Sequence, residues 1–556
     1  MIDNLRLQKL KTMAILALLA GVTAVPQIPD LFGDTLVIVL IWCIGGVWLT
    51  QMISSGAVKT KMFMVNRVLL LALVAALVGF AKSPHLFESL QAFLKFTALL
   101  IFGLVILNYE DQKQLFMVIL KTVIMTSIIM SLLAIYEYYF GLWGMPANGR
   151  VQVLFPNPNH LAGFLALAMT FALSVVLEPA PKNWFRWLTW LSLAVGMIAL
   201  YLTGSKGGIL SLLAGFSILI YAKRKTLFYT FIAGILIVFA VIWLTPLKSA
   251  VFSREIKDPF TFEKKDLYIE TFKYLGDHPF WGTGLETFKY YYPQYKSMPE
   301  MRSAPYVHNE LLNIWSDLGL LGVAAFVWLL VLFYCQARHL IKEDKQLYLN
   351  AFLAGVTGIV AHSMFEFNLH DPALALLFTG MVFTVLGLSR EQEGKNVALA
   401  VKNPLAVLAG IWGLIICASL VMLLPVYAQN QSEQGAAALK NQNSVQALLH
   451  YQEAMKYNPI SAEIKAGAAK AFYVQGMALN DEIFLWAAKH YFEKAAKLEP
   501  LDPFRWRDLA MFHARVGQWP EARAAYDHVL RLAPRVKALS SEYDSLQKSI
   551  ENKDAK

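Results

Sequence analysis

The sequence predicts an all-α polytopic membrane protein with an α-solenoid of helical repeats at its C-terminal end, and three observations carry that reading. Up to about residue 427, apolar runs of about 17–25 residues follow one another, each long enough to cross a bilayer as a helix. The chain of 556 residues is 57% hydrophobic and only 16% charged, against roughly 25% charge in a soluble domain. Beyond residue 427 the pattern changes to ordinary amphipathic sequence, enough for one small soluble domain.

The runs predict about 13 transmembrane helices, at residues 11–27, 34–53, 66–82, 88–108, 113–138, 160–178, 185–203, 207–221, 226–246, 311–337, 347–367, 372–389 and 404–426. The first resembles a signal peptide, with Arg6, Lys9 and Lys11 before an apolar stretch. It reads as an uncleaved first span. With the N-terminus in the cytoplasm, the inner loops carry Lys59, Lys61 and Arg67; Lys113; Lys182 and Arg186; Lys223, Arg224 and Lys225; Arg338, Lys342 and Lys345; Arg390, Lys395 and Lys402. The short outer loops carry few basic residues, as the positive-inside rule requires. An odd number of spans then leaves the C-terminal domain outside. This flanking distribution also accounts for the net charge of +10 and argues against nucleic acid as a partner. The three cysteines, Cys43, Cys335 and Cys417, are far apart and read as small apolar residues.

Two segments break the pattern. A long outer loop runs over residues 245–309 and is rich in Tyr, Phe and Trp, as in DHPFWGTGLETFKYYYPQY. Loops of this length are uncommon unless functional or separately folded, and its composition predicts an ordered segment. Gly282 and Gly284 within it read as a turn rather than a phosphate loop. The tail, residues 435–556, is internally repetitive. Trp506, Leu509, Ala510, Ala522, Tyr526 and Pro534 fit tetratricopeptide spacing; Ala488, Phe492, Ala495 and Pro500, then Ala447, Tyr451, Ala454 and Pro459, repeat its second half. The long interval from Pro459 to Pro500 predicts an insertion in the middle unit. His450, His490, His513 and His528 are expected on helix surfaces, and the domain is expected to recruit a protein partner or acceptor.

Polar groups inside a bilayer are expensive, so their placement is informative. On this topology four segments deliver them to the outer face: Arg150 with Phe155 to His160, which includes Asn159; Thr203 to Lys206, which includes Ser205; His308 and Asn309; and His362, Glu366, Asn368, His370 and Asp371. Lys95, alone in an apolar run, is expected to snorkel outward. Cationic side chains beside glycine amides suit a phosphate or diphosphate. A nearby histidine suits a general base toward a hydroxyl. With no zinc-type ligand pair and no acidic cluster in the outer loops, a metal-independent transfer at the outer membrane face, without a cofactor, is the economical reading. A transporter or flippase of lipid-linked sugars would instead place paired charges near the midplane. A tethered scaffold would leave the polar cluster unexplained.

At these residues the chain resembles the O-antigen ligase and Wzy-type polymerase superfamily of bacterial integral membrane glycosyltransferases. The resemblance covers residues 60–390. It rests on Arg150 with FPNPNHLAGFLAL, on LTGSKGGIL, on DHPFWGTGLETF, and on HNELLNIWSDLGLLG with His308, Asn309 and Gly319. It implies transfer of a glycan from an undecaprenyl-diphosphate donor to a lipid, glycan or protein acceptor at the outer face of the bacterial cytoplasmic (inner) membrane. It implies His308 as the group that activates the acceptor, and Lys206, Arg150, Lys264 and Lys265 as candidates to hold the diphosphate, with Asn159, Ser205, Asn309, His362 and Glu366 in support. A protein-glycosylating member of the same family fits the same residues. The sequence departs from the pattern in carrying lysine at Lys206 and at Lys264 or Lys265, where arginine is usual. Lysine keeps the charge and loses the bidentate fork.

Overall fold

A computed structural model describes residues 30–54, 57–61, 64–141, 149–178, 184–245, 264–296, 304–344, 347–390 and 396–554. The first predicted span lies outside them. Helices stand at the positions of all the later spans: α1 Asp30–Ser54, α2 Met64–Lys82, α3 Leu86–Leu107, α4 Gln112–Phe140, α5 Pro158–Leu177, α6 Trp184–Thr203, α7 Lys206–Lys223 and α8 Lys225–Leu244. After the long loop come α11 Glu310–Asp344, α12 Leu347–Ser363, α13 Pro372–Arg390 and α14 Pro404–Lys440. Ten of the described helices are long and apolar enough to cross a membrane, and stretches of α8 and α12 are shorter apolar helices. The protein is a multi-pass membrane protein of the all-α class, with one short strand pair beside its helices.

Helix α5 is the centre of the bundle. Asn157 caps it by accepting from Asn159 N at 2.8 Å, and Pro158 occupies the first turn, where a missing N–H costs nothing. Every residue from His160 to Ala172 is buried, as expected of a helix apolar on all sides. It packs on α4, α6, α7 and α12. Two short strands, β1 Ala57–Lys61 and β2 Asn396–Ala400, pair antiparallel with Ala57 opposite Ala400 and Lys61 opposite Asn396. No strand is predicted at either place from the sequence, where both segments fall in loops of the inner side. Their pairing sets them at one end of the bundle.

The long loop is ordered where it is described. Helices α9 Lys264–Asp277 and α10 Phe288–Tyr295 share a core of Leu267, Tyr274, Phe288, Tyr292, Val307 and Leu312. The turn between them carries Gly282 and Gly284 at φ +64° and +112°. It fits into a break in α11 at Gly319, where φ is +65° and ψ −166°. Backbone groups freed by the break are satisfied by the turn: Thr283 N donates to Ser316 O at 2.9 Å, Gly284 N to Asp317 O at 3.2 Å, and Leu320 N to Phe280 O at 3.2 Å. A Cβ at Gly319 would collide with the Phe280 carbonyl. The glycine that follows the His-Asn pair is therefore a docking point for this loop.

Helix α14 has 37 residues, about 55 Å at 1.5 Å per residue, well beyond a hydrocarbon core of about 30 Å. Its second half leads into α15 Ser444–Tyr457, α16 Ala462–Leu479, α17 Glu482–Leu498, α18 Pro503–Arg515, α19 Trp519–Leu532 and α20 Lys537–Asp554, each packed on the one before. Buried alanines, among them Ala447, Ala454, Ala488, Ala495 and Ala522, let the helices approach closely. Between Pro459 and Pro500 the chain forms two helices, α16 and α17, of 18 and 17 residues, so the long interval is taken up in helix rather than in a loop. His513 departs from expectation. It is buried, and its Nδ1 lies 2.7 Å from Gln518 Oε1, because the helix presents this side chain to the inside of the hairpin.

The positions of the strands and of the tail make the predicted topology testable. A reporter fused to the end of the chain is expected to behave as non-cytoplasmic, and one inserted near residue 395 as cytoplasmic. Reversal of either result would reject the orientation.

Candidate active site

The hub of the site is Glu366, which is buried. The sequence reading places it inside the eleventh span; helix α12 ends at Ser363, and Glu366 sits in the turn beyond, ahead of a 3-10 turn at Asn368–His370. Three segments converge on its carboxylate. Oε1 accepts from Asn159 Nδ2 at 2.8 Å and from Lys264 Nζ at 2.8 Å. Oε2 lies 3.1 Å from His308 Nδ1. Burial raises the carboxyl pKa, but the hydrogen bond from His308, the charge on that ring and the Lys264 ammonium outweigh burial and hold the group at about 2.

His308 is held from several sides. It takes a left-handed backbone at φ +55°. Its carbonyl accepts from the Tyr268 hydroxyl at 2.8 Å, and its ring meets Phe367 edge-on with centroids 4.9 Å apart. The next residue, Asn309, opens α11: its Oδ1 accepts from Leu312 N at 3.1 Å and its Nδ2 donates to Met364 O at 3.0 Å. His308 is thus fixed to the turn that carries Glu366. With Nδ1 donating to Glu366, Nε2 is the acceptor nitrogen of the neutral ring.

The basic groups differ in their surroundings. Arg150 Nε donates to Thr203 O and Nη2 to Asn159 Oδ1, both at 2.6 Å. Arg150 therefore joins the α6–α7 hairpin to Asn159 and, through it, to Glu366. In that hairpin Gly204 has φ +62° and packs on the Arg150 side chain. Ser205 caps α7 by accepting from Gly208 N at 3.1 Å, and Lys206 is the first residue of α7, exposed at the positive end of the helix dipole. Lys264 also donates to Phe365 O, while Lys265 beside it is exposed. Arg150, Asn159, Lys264, Asn309, His308 and Glu366 form one connected network. His362 lies beneath it, fully buried between Gly163 and Gly207, where a Cβ would strike its ring. Both glycines let α5 and α7 approach this ring closely.

Several features escape the sequence reading. Tyr268 anchors His308, and its only signal was aromatic richness. Glu137 of α4 accepts from Gln152 N at 3.2 Å and Val153 N at 2.7 Å, so it holds the segment that follows Arg150. A carboxylate within an apolar run was the available sign. Lys95 corrects an expectation: instead of snorkelling outward it lines an internal cavity, 3.9 Å from Glu286 Oε1. The ion pair with the outer loop fixes its direction.

Residues 191–327 match the family model for O-antigen ligase. The matched stretch holds Ser205, Lys206, Lys264, Lys265, His308, Asn309 and Gly319. No curated protein matches the chain.

Proposed function

We propose that this protein transfers a glycan from a lipid-diphosphate donor, of the undecaprenyl type, to an acceptor hydroxyl at the outer face of the bacterial cytoplasmic membrane. The observation that supports it most is the His308–Glu366 pair, at 3.1 Å, set among Arg150, Lys206 and Lys264 in a chain whose residues 191–327 match the O-antigen ligase model. Glu366 orients the ring and stabilises its protonated form. Nε2 of His308 takes the proton of the acceptor hydroxyl as its oxygen attacks the anomeric carbon. The bond from that carbon to the phosphate oxygen breaks, and the diphosphate leaves as an anion toward the basic groups. Lys206 is the cation best placed to meet it, exposed in the first turn of α7 at the positive end of the helix dipole. Arg150 and Lys264 hold the frame and add positive potential.

The experiment is reconstitution of the purified protein in liposomes with an undecaprenyl-diphosphate-linked glycan and candidate acceptors. Transfer is expected, and it is expected to persist in chelator. Movement of the intact donor across the bilayer without transfer would favour a flippase. Strict dependence on added Mg²⁺ or Mn²⁺ would reject the proton-transfer scheme.

The tail reads as a tetratricopeptide-like stack that presents acceptor or partner to the site. It rests on the outer loop: α19 touches α10, and Glu499 and Arg505 act electrostatically on Glu88 and Tyr290. Deleting residues 435–556 is expected to leave donor binding intact and to lower transfer to the natural acceptor or change product length. Loss of donor binding in the folded truncated protein would reject this division of labour.

A further inference from the structure

A cavity of about 320 Å³ lies among α1, α2, α3, α11 and α13, apart from the basic groups of the His308 site. Ile38, Leu69, Phe96 and Phe378 represent its walls, which are largely apolar. One end is polar and carries Asp34, Glu286, Glu310 and Asp317 against only Lys95 and His370. The carboxylates are partly engaged. Glu286 faces Lys95 at 3.9 Å, with 28% and 35% of the two side chains open. Asp317 Oδ2 accepts from Glu286 N at 3.2 Å, and Glu310 Oε2 accepts from Leu369 N at 3.1 Å while its Oε1 lies 3.3 Å from His370 Nδ1. An ionised carboxylate has about four acceptor positions, so Glu286 and Glu310, which use only part of theirs, retain capacity for donors from a ligand.

The cavity and the His308 site share a wall of rings. Tyr306 packs at a tilt against Phe367, with centroids 4.7 Å apart, and against His370 at 4.3 Å, and Phe367 also meets His308 at 4.9 Å. Arg150, Lys206 and Lys264 do not line the cavity. Its excess of carboxylates repels a phosphate, and its apolar length suits a hydrocarbon chain. Glu286 holds a left-handed backbone at φ +57°, in the turn that locks into the α11 break.

We propose that this cavity is a second lipid site, which takes a neutral amphiphile: its chain lies along α1, α2 and α3, and its hydroxyl-bearing head donates to Glu286, Glu310 and Asp317. The proposal does not depend on the transfer reaction. It is tested on the full-length protein in nanodiscs with two photoreactive probes of equal chain length, a diazirine-bearing alkyl glucoside and the matching alkyl phosphate. The glucoside is expected to label α1, α2, α3 or α11 at least about tenfold more than the phosphate. Ala72→Trp, from the α2 wall, and Thr379→Phe, from the α13 wall, are expected to cut that labelling by a similar factor while leaving thermal stability near that of the parent. The double variant Glu286→Gln, Asp317→Asn is expected to bring the phosphate probe up toward the glucoside. Equal labelling by the two probes in the parent protein would overturn the proposal. So would undiminished labelling in either filled variant.

Discussion

His308→Ala is expected to lower glycan transfer by about 10²–10⁴-fold, the contribution of a positioned general base, with donor binding retained. The ring has one nitrogen 3.1 Å from Glu366 and is part-exposed, so truncation removes chemistry and little packing. Its anchors, the Tyr268 bond to the main-chain carbonyl and the Asn309 cap, involve no atom of the imidazole. The variant is therefore expected to insert and to melt close to the parent. The checking measurement is single-turnover transfer in liposomes beside binding of the lipid-diphosphate donor. Parental turnover in His308→Ala would remove it as the base. Loss of donor binding would make it a ligand instead.

Glu366→Gln is expected to be nearly as severe, about 10²–10⁴-fold by the behaviour of carboxylates that orient a catalytic histidine. The parent carboxylate accepts from Asn159, Lys264 and His308 together. A glutamine presents one carbonyl and an NH₂ group, so one of these donors loses its acceptor. In the proposed reaction Glu366 acts as a positioning residue, and its loss is expected in turnover while the acceptor concentration for half-maximal rate changes little. The pH profile separates this from a merely structural effect. The folded carboxyl titrates near 2, below the ordinary glutamate value of about 4.3. Its stabilising contribution is full above about pH 5 and is lost only as pH falls toward 2. An acid limb of activity between pH 5 and 8 thus does not come from Glu366. The loss of activity as pH falls toward 2 through protonation of Glu366 is expected to disappear with Gln at this position, which does not titrate. A profile of unchanged shape with lower amplitude would assign Glu366 to scaffolding alone.

The helices of the membrane part were legible because their signal is local: an apolar run of sufficient length has few alternatives in a bilayer. The hairpin at Thr203 to Lys206 was legible for the same reason, whereas the capping of α5 by Asn157 and of α7 by Ser205 emerged only in the structure. The turn at Gly282 and Gly284 was read correctly as a turn, but its purpose was not, since the Gly319 break it fills is a feature of another helix. The membership of Glu366 in the site was visible as a carboxylate in apolar sequence. Its centrality was not: the Asn159–Glu366 bond joins residues 207 apart, and the Lys264–Glu366 bond residues 102 apart.

By itself the sequence determined that the chain crosses the membrane many times as helices, that a helical tail follows, and that polar residues from four segments are candidates for one site. The choice between Lys264 and Lys265 for the contact with Glu366, the inward direction of Lys95, the buried position of His513 and the cavity bounded by Glu286 and Asp317 were decided only by the tertiary structure. For Lys95 the physical reason is that a membrane helix is apolar on its lipid face and on its protein face alike, so periodicity does not reveal which way a side chain points; Lys264 and His513 lie outside the membrane helices, where packing against a neighbouring segment decided. Direction is set by the partner, and here the partners, Glu366 for Lys264 and Glu286 for Lys95, come from segments remote in the chain.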